Sequence, residues 1–250
     1  MMIRAISLFL LLFAWFPAAR AFLPEEVESL KTAFEKEVDR AVPGNAYQKL
    51  AEREIFRLIE GNRDFSSPQY VVFVDRNPDS QIGSIVYIDP DAKRVIIIGV
   101  FPVSTGNPHR RGFFETPAGI FRNSPENMDY RALGTKNSKG WRGLGKKGSR
   151  VWDFGWQKTK LTTGSPYEIR LLMHATDPNF GEPRLGKVDS KGCVRVPASV
   201  NAFLDRHGII DASYENGSAR AKSVLLITRE PTRFAGQYLI VGDSRSFQGT

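Results

Sequence analysis

The chain of 250 residues holds a single cysteine, Cys193, so no internal disulfide can staple its fold. Its three histidines, His109, His174 and His207, are scattered and lack ligand spacing with that cysteine, so no metal site or cofactor is expected. The Gly- and Lys-rich stretch from Gly134 to Gly148 lacks the strand-turn-helix setting that a phosphate-cradling loop requires. No basic helix and no aromatic-basic motif is present, which argues against nucleic acid as a partner. There is no internal repeat. After Phe16 no apolar run is long enough to span a bilayer, which needs about 20 residues.

What the chain does have begins at its start. Met1-Met2-Ile3-Arg4 supplies a short basic segment, Ile6 to Phe16 is almost wholly apolar, and Ala19-Arg20-Ala21 has the small-x-small pattern of a signal-peptidase site. Residues 1–21 read as a cleaved leader, with the mature chain beginning near Phe22; the alternative, an uncleaved anchor, has too short an apolar run. The expectation is an exported protein, secreted or periplasmic, that is not an integral membrane protein after cleavage. The mature chain then carries 33 basic against 27 acidic residues, a net +6 that suits an anionic polymer such as a bacterial wall or serves solubility. In an oxidising compartment cysteines usually pair, so a lone one is an intermolecular linker or a thiol kept for chemistry.

From Pro24 to Asn62 apolar residues recur at helical spacing. Val27, Leu30, Phe34, Val38 and Ala41 form one stripe, Pro43-Gly44-Asn45 breaks it, and Tyr47, Leu50, Ala51, Ile55, Leu58 and Ile59 form a second ending at Gly61-Asn62. This predicts a helical hairpin over residues 22–66 that braces the rest. After Pro68 the texture changes to short β-rich runs: Tyr70 to Val74, Ser84 to Ile88, Val95 to Val103, Gly119 to Arg122, Val151 to Phe154, Ile169 to His174, Val224 to Thr228 and Tyr238 to Val241. Asp89-Pro90-Asp91 reads as a turn. The fold class is mainly β, a sandwich or partly closed barrel, with one helix after Cys193 that starts at Pro197 and closes at His207-Gly208. The stretch from Gly134 to Ser149 reads either as a solvated loop or as a flexible flap over a cleft with Trp141 as its apolar contact.

A thiol needs a base or positive surroundings to ionise near neutral pH, since its ordinary pKa is about 8.5. His109 lies in a basic turn and His207 at a helix end, both with structural explanations. His174 ends the apolar run Ile169 to Met173, where a strand would present it at a sheet edge beside a site. Cys193 sits in Ser190-Lys191-Gly192-Cys193-Val194-Arg195. It reads either as a small buried core residue or as a nucleophile, and its polar, charged neighbourhood favours the second. Gly192 would let a carbonyl approach the backbone, where the amides of Gly192 and Cys193 could stabilise an oxyanion. Lys191 and Arg195 would favour the thiolate if their charges point inward.

These residues resemble the active-site signature of the L,D-transpeptidase family, the YkuD-type catalytic domain. His174, fifteen intervening residues and then Ser190-Lys191-Gly192-Cys193-Val194-Arg195 match a histidine followed by Ser/Thr-His-Gly-Cys. Upstream, Phe101-Pro102-Val103-Ser104-Thr105-Gly106 and Thr116-Pro117-Ala118-Gly119-Ile120-Phe121 match the family's paired Val-Ser-Thr-Gly and Thr-Pro-x-Gly-x-Phe segments. The resemblance runs from Gln69 to Asp243 and implies a catalytic domain over residues 67–250. It implies that Cys193 attacks the stem tetrapeptide of peptidoglycan between diaminopimelate and the terminal D-alanine, forming a thioester that an amine then resolves. On this resemblance His174 is the base, Gly192 and Cys193 form the oxyanion site, Ser190 shapes the nucleophile turn and Arg195 anchors a substrate carboxylate.

The chain departs at Lys191, where the family has a second histidine. Lysine keeps a positive donor but exchanges protons poorly near neutral pH. Ala175 offers no side chain to orient the His174 imidazole, so a backbone carbonyl must. The leading expectation is transfer, giving 3-3 cross-links or attaching another molecule to the wall. The alternatives are an L,D-carboxypeptidase or amidase using water at the same site, and an inactive wall-binding module.

Overall fold

A computed structural model describes residues 24–42, 45–161 and 163–249. The expected leader over residues 1–21 and the Pro43-Gly44 break lie outside the described residues. Two helices come first, α1 (Glu25–Glu37) and α2 (Asn45–Ile59). Glu25, Glu26 and Glu28 in the first turn of α1 and Lys36 in its last complement the helix dipole. Its stripe Val27, Leu30 and Phe34 is buried. Strands follow at β1 (Gln69–Asp75), β2 (Ile82–Asp89), β3 (Arg94–Pro102), β4 (Gly119–Arg122), β5 (Tyr130–Arg131), β6 (Arg150–Lys160), β7 (Pro166–Ala175), β8 (Val194–Val196) and β9 (Tyr238–Gly242). Between the last two lie α3 (Ala198–Arg206), α4 (Ala212–Glu215) and α5 (Ala219–Lys222).

The strands make two mixed sheets, in the orders β3-β2-β1-β9-β4 and β5-β6-β7-β8. Each is antiparallel except for one parallel pair, β1 with β9 and β7 with β8. The mainly β architecture with few helices agrees with the sequence reading, and neither sheet closes into a barrel. The main core lies between the sheets, with Tyr70, Val72, Val74 and Ile85 on one side and Trp152, Phe154, Leu171 and Met173 on the other.

The two N-terminal helices do not pack as a hairpin. Because successive β1 side chains point to opposite faces, Tyr70, Val72 and Val74 share one core cluster with Val27, Leu30 and Phe34 of α1, while Val71 and Phe73 share another with Ala51, Ile55 and Ile59 of α2. The helices therefore grip the first sheet from its two faces, and β1 is buried along its whole length. The expected strand from Val224 to Thr228 is also absent. Val224 and Leu225 pack on Tyr214 and Ala221, the Val224 carbonyl accepts from Arg131 Nε at 2.9 Å, and Ile227 is 99% exposed, so no ladder forms. The expected helix after Cys193 is α3, with Pro197 at its N-cap and His207 at its C-cap. No helix among the described residues is long and apolar enough to cross a membrane.

Candidate active site

Leu171 and Met173 of β7 point into the core, so alternation turns Leu172 and His174 to the opposite face of the second sheet. The parallel partner β8 pairs Val194 with Met173 and Arg195 with His174. Val194 is likewise in the core, and Cys193, one residue before β8, falls with Arg195 on the face that carries His174. The register continues across the sheet, since His174 pairs with Val151 and Val151 with Tyr130. One row thus runs Tyr130, Val151, His174, Arg195, with the thiol beside it.

The turn that presents Cys193 is tied through Ser190 and Gly192. Ser190 Oγ donates to the Cys193 carbonyl at 2.5 Å and accepts from the Gly192 amide at 3.0 Å. Gly192 has φ +130°, a conformation L side chains rarely adopt, and a Cβ there would sit 2.6 Å from Ile169 Cδ1. Its carbonyl accepts from Thr116 Oγ1 at 2.9 Å, and Thr116 Oγ1 accepts from the Gly106 amide at 2.8 Å. The Ser190 amide donates to the Thr105 carbonyl, and Ser104 and Arg195 exchange two backbone hydrogen bonds of 3.0 and 2.9 Å. The Val-Ser-Thr-Gly and Thr-Pro segments are thus the clamp that holds the nucleophile turn. Gly106 permits the clamp to close, since a Cβ would lie 1.9 Å from the Phe114 carbonyl oxygen.

One sequence expectation changes here. The Gly192 amide was expected in an oxyanion site, but its hydrogen is spent on Ser190 Oγ. The glycine acts through its backbone conformation and lack of a side chain.

The His174 ring is buried, and its Nδ1 lies 2.7 Å from the Ala175 carbonyl oxygen. A carbonyl can only accept, so Nδ1 carries the proton and Nε2 is left as the basic nitrogen. Burial lowers the His174 pKa to about 4, with Arg195 adding to the depression and the Ala175 carbonyl opposing it. Burial also raises the Cys193 thiol pKa above its ordinary value, against the pull of the Leu172 backbone amide and Arg195 and with the help of the Asp153 charge. Both shifts favour the neutral form near pH 7, so imidazole and thiol share the sheet face without forming an ion pair.

Arg195 turns into the cleft and donates to Asp189 Oδ2 at 3.2 Å. Lys191 is exposed, with Nζ 5.8 Å from the Phe113 ring centroid. His109 is an exposed turn residue, and His207 lies 3.2 Å from Glu37 as a helix cap. The Gly- and Lys-rich stretch is anchored at Trp141 and Arg142. Trp141 stacks on Phe180 with centroids 5.6 Å apart, and the Arg142 amide donates to Asp177 Oδ2 at 2.9 Å. Trp141 lines a cleft of about 460 Å³ together with Lys191 and Arg195. Among the described residues no cluster of three or more His, Cys, Asp or Glu could hold a metal ion. Sequence reasoning missed Tyr130, whose hydroxyl pKa is raised by burial and then by Asp153 and Cys193. It also missed Asp189, because an isolated acid before the motif carries no signal until the turn folds.

The family of L,D-transpeptidase catalytic domains, YkuD, matches residues 70–209. The chain belongs to the L,D-transpeptidase family. Its matched region spans β1 to the end of α3 and contains both His174 and Cys193. No curated protein matches the chain. Among solved structures, Bd1075 of Bdellovibrio bacteriovorus is similar at 14% identity and a TM-score of 0.35, over 71% of this chain and 48% of that one. The chain thus accounts for about half the length of that structure.

Proposed function

We propose that the protein is an exported cysteine acyltransferase that acts on peptidoglycan stem tetrapeptides at the cell wall, with residues 67–250 as the catalytic domain and the helices of 22–66 as its brace. The observation that carries this reading is the pairing on one sheet face of a neutral imidazole, its Nδ1 fixed by the Ala175 carbonyl, with the thiol of a clamped Ser190–Cys193 turn. His174 Nε2 takes the thiol proton as Sγ attacks the carbonyl carbon between diaminopimelate and D-alanine. The oxyanion falls to the Cys193 amide, since the Gly192 amide is engaged. As the C–N bond breaks, the imidazolium returns the proton to the departing amine of D-alanine, and a thioester remains. An acceptor amine then forms the new C–N bond while the C–S bond breaks, its proton passing through His174 to the thiolate. The product is a 3-3 cross-link or a molecule attached to the wall.

Intact-mass measurement after incubation with a carbapenem tests the thiol, and a covalent adduct present in the wild type and absent in Cys193→Ala is expected. Incubation with a disaccharide tetrapeptide separates the acceptors. Dimers support transfer, whereas tripeptide alone would show water as the acceptor, and a protein with neither adduct nor product would be a wall-binding module.

A further inference from the structure

The cleft that reaches Lys191 and Arg195, which flank Cys193 two residues away on either side in the chain, is lined mostly by cations among its charged residues. Arg110, Lys139, Arg184, Lys191 and Arg195 line it, with Asp189 as its carboxylate. That carboxylate is shared, Oδ1 lying 2.7 Å from Arg184 Nη2 and Oδ2 3.2 Å from Arg195 Nη1. Arg110, Lys139 and Lys191 have no carboxylate partner among the described residues. The cations are also oriented. Phe113 carries the Arg110 guanidinium 4.3 Å from its ring centroid and Lys191 Nζ at 5.8 Å, and Arg184 lies 5.3 Å from the Trp141 centroid. Aromatic faces that hold cations in place without neutralising them leave their charge for a ligand.

The place of this cleft relative to the chemistry is set by the sheet. His174 must protonate the departing amine and later deprotonate the incoming one, so both amines occupy the same position at the imidazole. Arg195, the cross-strand neighbour of His174, opens from that position into the cleft. A carboxylate carried by either amine is drawn toward the unpaired cations there.

We propose that this cleft is the carboxylate subsite for the amine partner of acyl transfer, holding first the leaving D-amino acid and then the acceptor, with Arg110 and Lys191 as residues that determine acceptor specificity. This rests on the acyl-transfer reading and deepens it. Water has no anion to anchor, so the cleft biases the thioester toward amines that bear a free carboxylate. It also gives Lys191 a role that does not need proton exchange: in place of an imidazole the chain has a permanent cation, turned toward Phe113.

Two measurements test this. With one tetrapeptide donor, transfer to a free D-amino acid is compared with transfer to the carboxamide of the same amino acid. The free acid should be preferred by about tenfold or more, expressed in KM rather than kcat, and Arg110→Gln with Lys191→Gln should shrink that preference toward unity. A preference unchanged in the double variant would overturn the proposal. Independently of turnover, citrate is titrated calorimetrically into Cys193→Ala. Binding should weaken by about tenfold or more when Arg110→Gln and Lys191→Gln are added, and at 0.5 M salt by a comparable factor, as roughly expected of exposed cations. Citrate binding without any acyl-enzyme in the active chain would support the anion site and sink the transferase reading. Absent or unaltered citrate binding would sink the anion site whatever the enzyme does.

Discussion

On the proposed mechanism, Cys193 gives its proton to His174 only when substrate arrives. A burial-raised thiol and an imidazole lowered to about 4 share a sheet face, so alkylation by iodoacetamide should be slow at pH 7. Its rate should keep rising beyond the range of an ordinary thiol, about 8.5; a plateau reached below pH 7 would instead reveal a preformed thiolate. His174→Gln keeps the size but removes the base, and acyl-enzyme formation should fall by about 10²–10⁴. Gly192→Ala meets two obstacles, the +130° φ and Ile169 Cδ1 at 2.6 Å. Adding Ile169→Ala should clear the contact but leave the strained backbone, so activity should recover in part at most, as single-turnover assays would show. At this scale the nucleophile turn's architecture was legible in the sequence, because its residues have distinct structural uses. Ser190 closes the turn, Gly192 permits it, and even the lack of a side-chain partner at Ala175 pointed to the carbonyl that orients His174. What stayed hidden was which hydrogen each group spends, and so the Gly192 amide was misassigned.

Among the elements, β7 and β8 carry the candidate site, and a buried charge cluster holds their sheet to the helices behind it. Arg150, fully buried on β6, donates to Asp129 Oδ2 at 2.7 Å and to Asp211 Oδ1 at 3.1 Å, and lies 3.5 Å from Asp205. Arg131 on β5 pairs with Asp205 as well. Arg150→Met would strand these carboxylates away from water, and a loss of about 3–5 kcal/mol is expected in denaturant unfolding. Adding Asp129→Asn should restore part of it, because the stranded charge rather than lost packing is the cause. No periodicity announces such a cluster, since its members come from β5, β6, α3 and the segments before β5 and α4. The same holds for strands. The long runs of β1, β2, β3 and β7 were legible because alternation or continuous burial repeats over many residues. Two-residue β5 and three-residue β8 carry no period, and Val224 to Thr228 has strand composition but gives its carbonyl to Arg131. Helix spacing located α1 and α2 correctly, yet it could not say that each would choose a different face of the first sheet.

Over the whole molecule, the layers bury two titrating groups whose linkages oppose each other. His174 has a folded pKa of about 4 against an ordinary 6.5, so the folded state favours its neutral form. That contribution is complete above about pH 6.5 and is lost as pH falls toward 4. Asp211, with burial raising its pKa to about 6 from 3.8, behaves in the reverse sense. The folded state favours its proton, so its contribution is complete below about 3.8 and lost as pH rises through 6. Burial is the main cause of the shift, opposed by Arg150 and aided by Asp129 and Asp205; Arg150 and Arg131 supply two positive charges to these three carboxylates, so one has an unmatched charge when all three ionise. Between pH 4 and 6.5 the two slopes offset each other, and stability of the wild type should change little for reasons of these groups. Asp211→Asn removes one slope. Its stability, followed by urea unfolding at fixed ionic strength, should climb with pH across that window by on the order of 2 kcal/mol more than the wild type. At pH 7 the variant should also exceed the wild type, because the unmatched buried charge is gone. His174→Gln should tilt the profile the other way, with stability falling as pH rises through 6. Parallel profiles for all three proteins would mean that neither burial shift is coupled to folding, and the two-slope account would fail at both sites together.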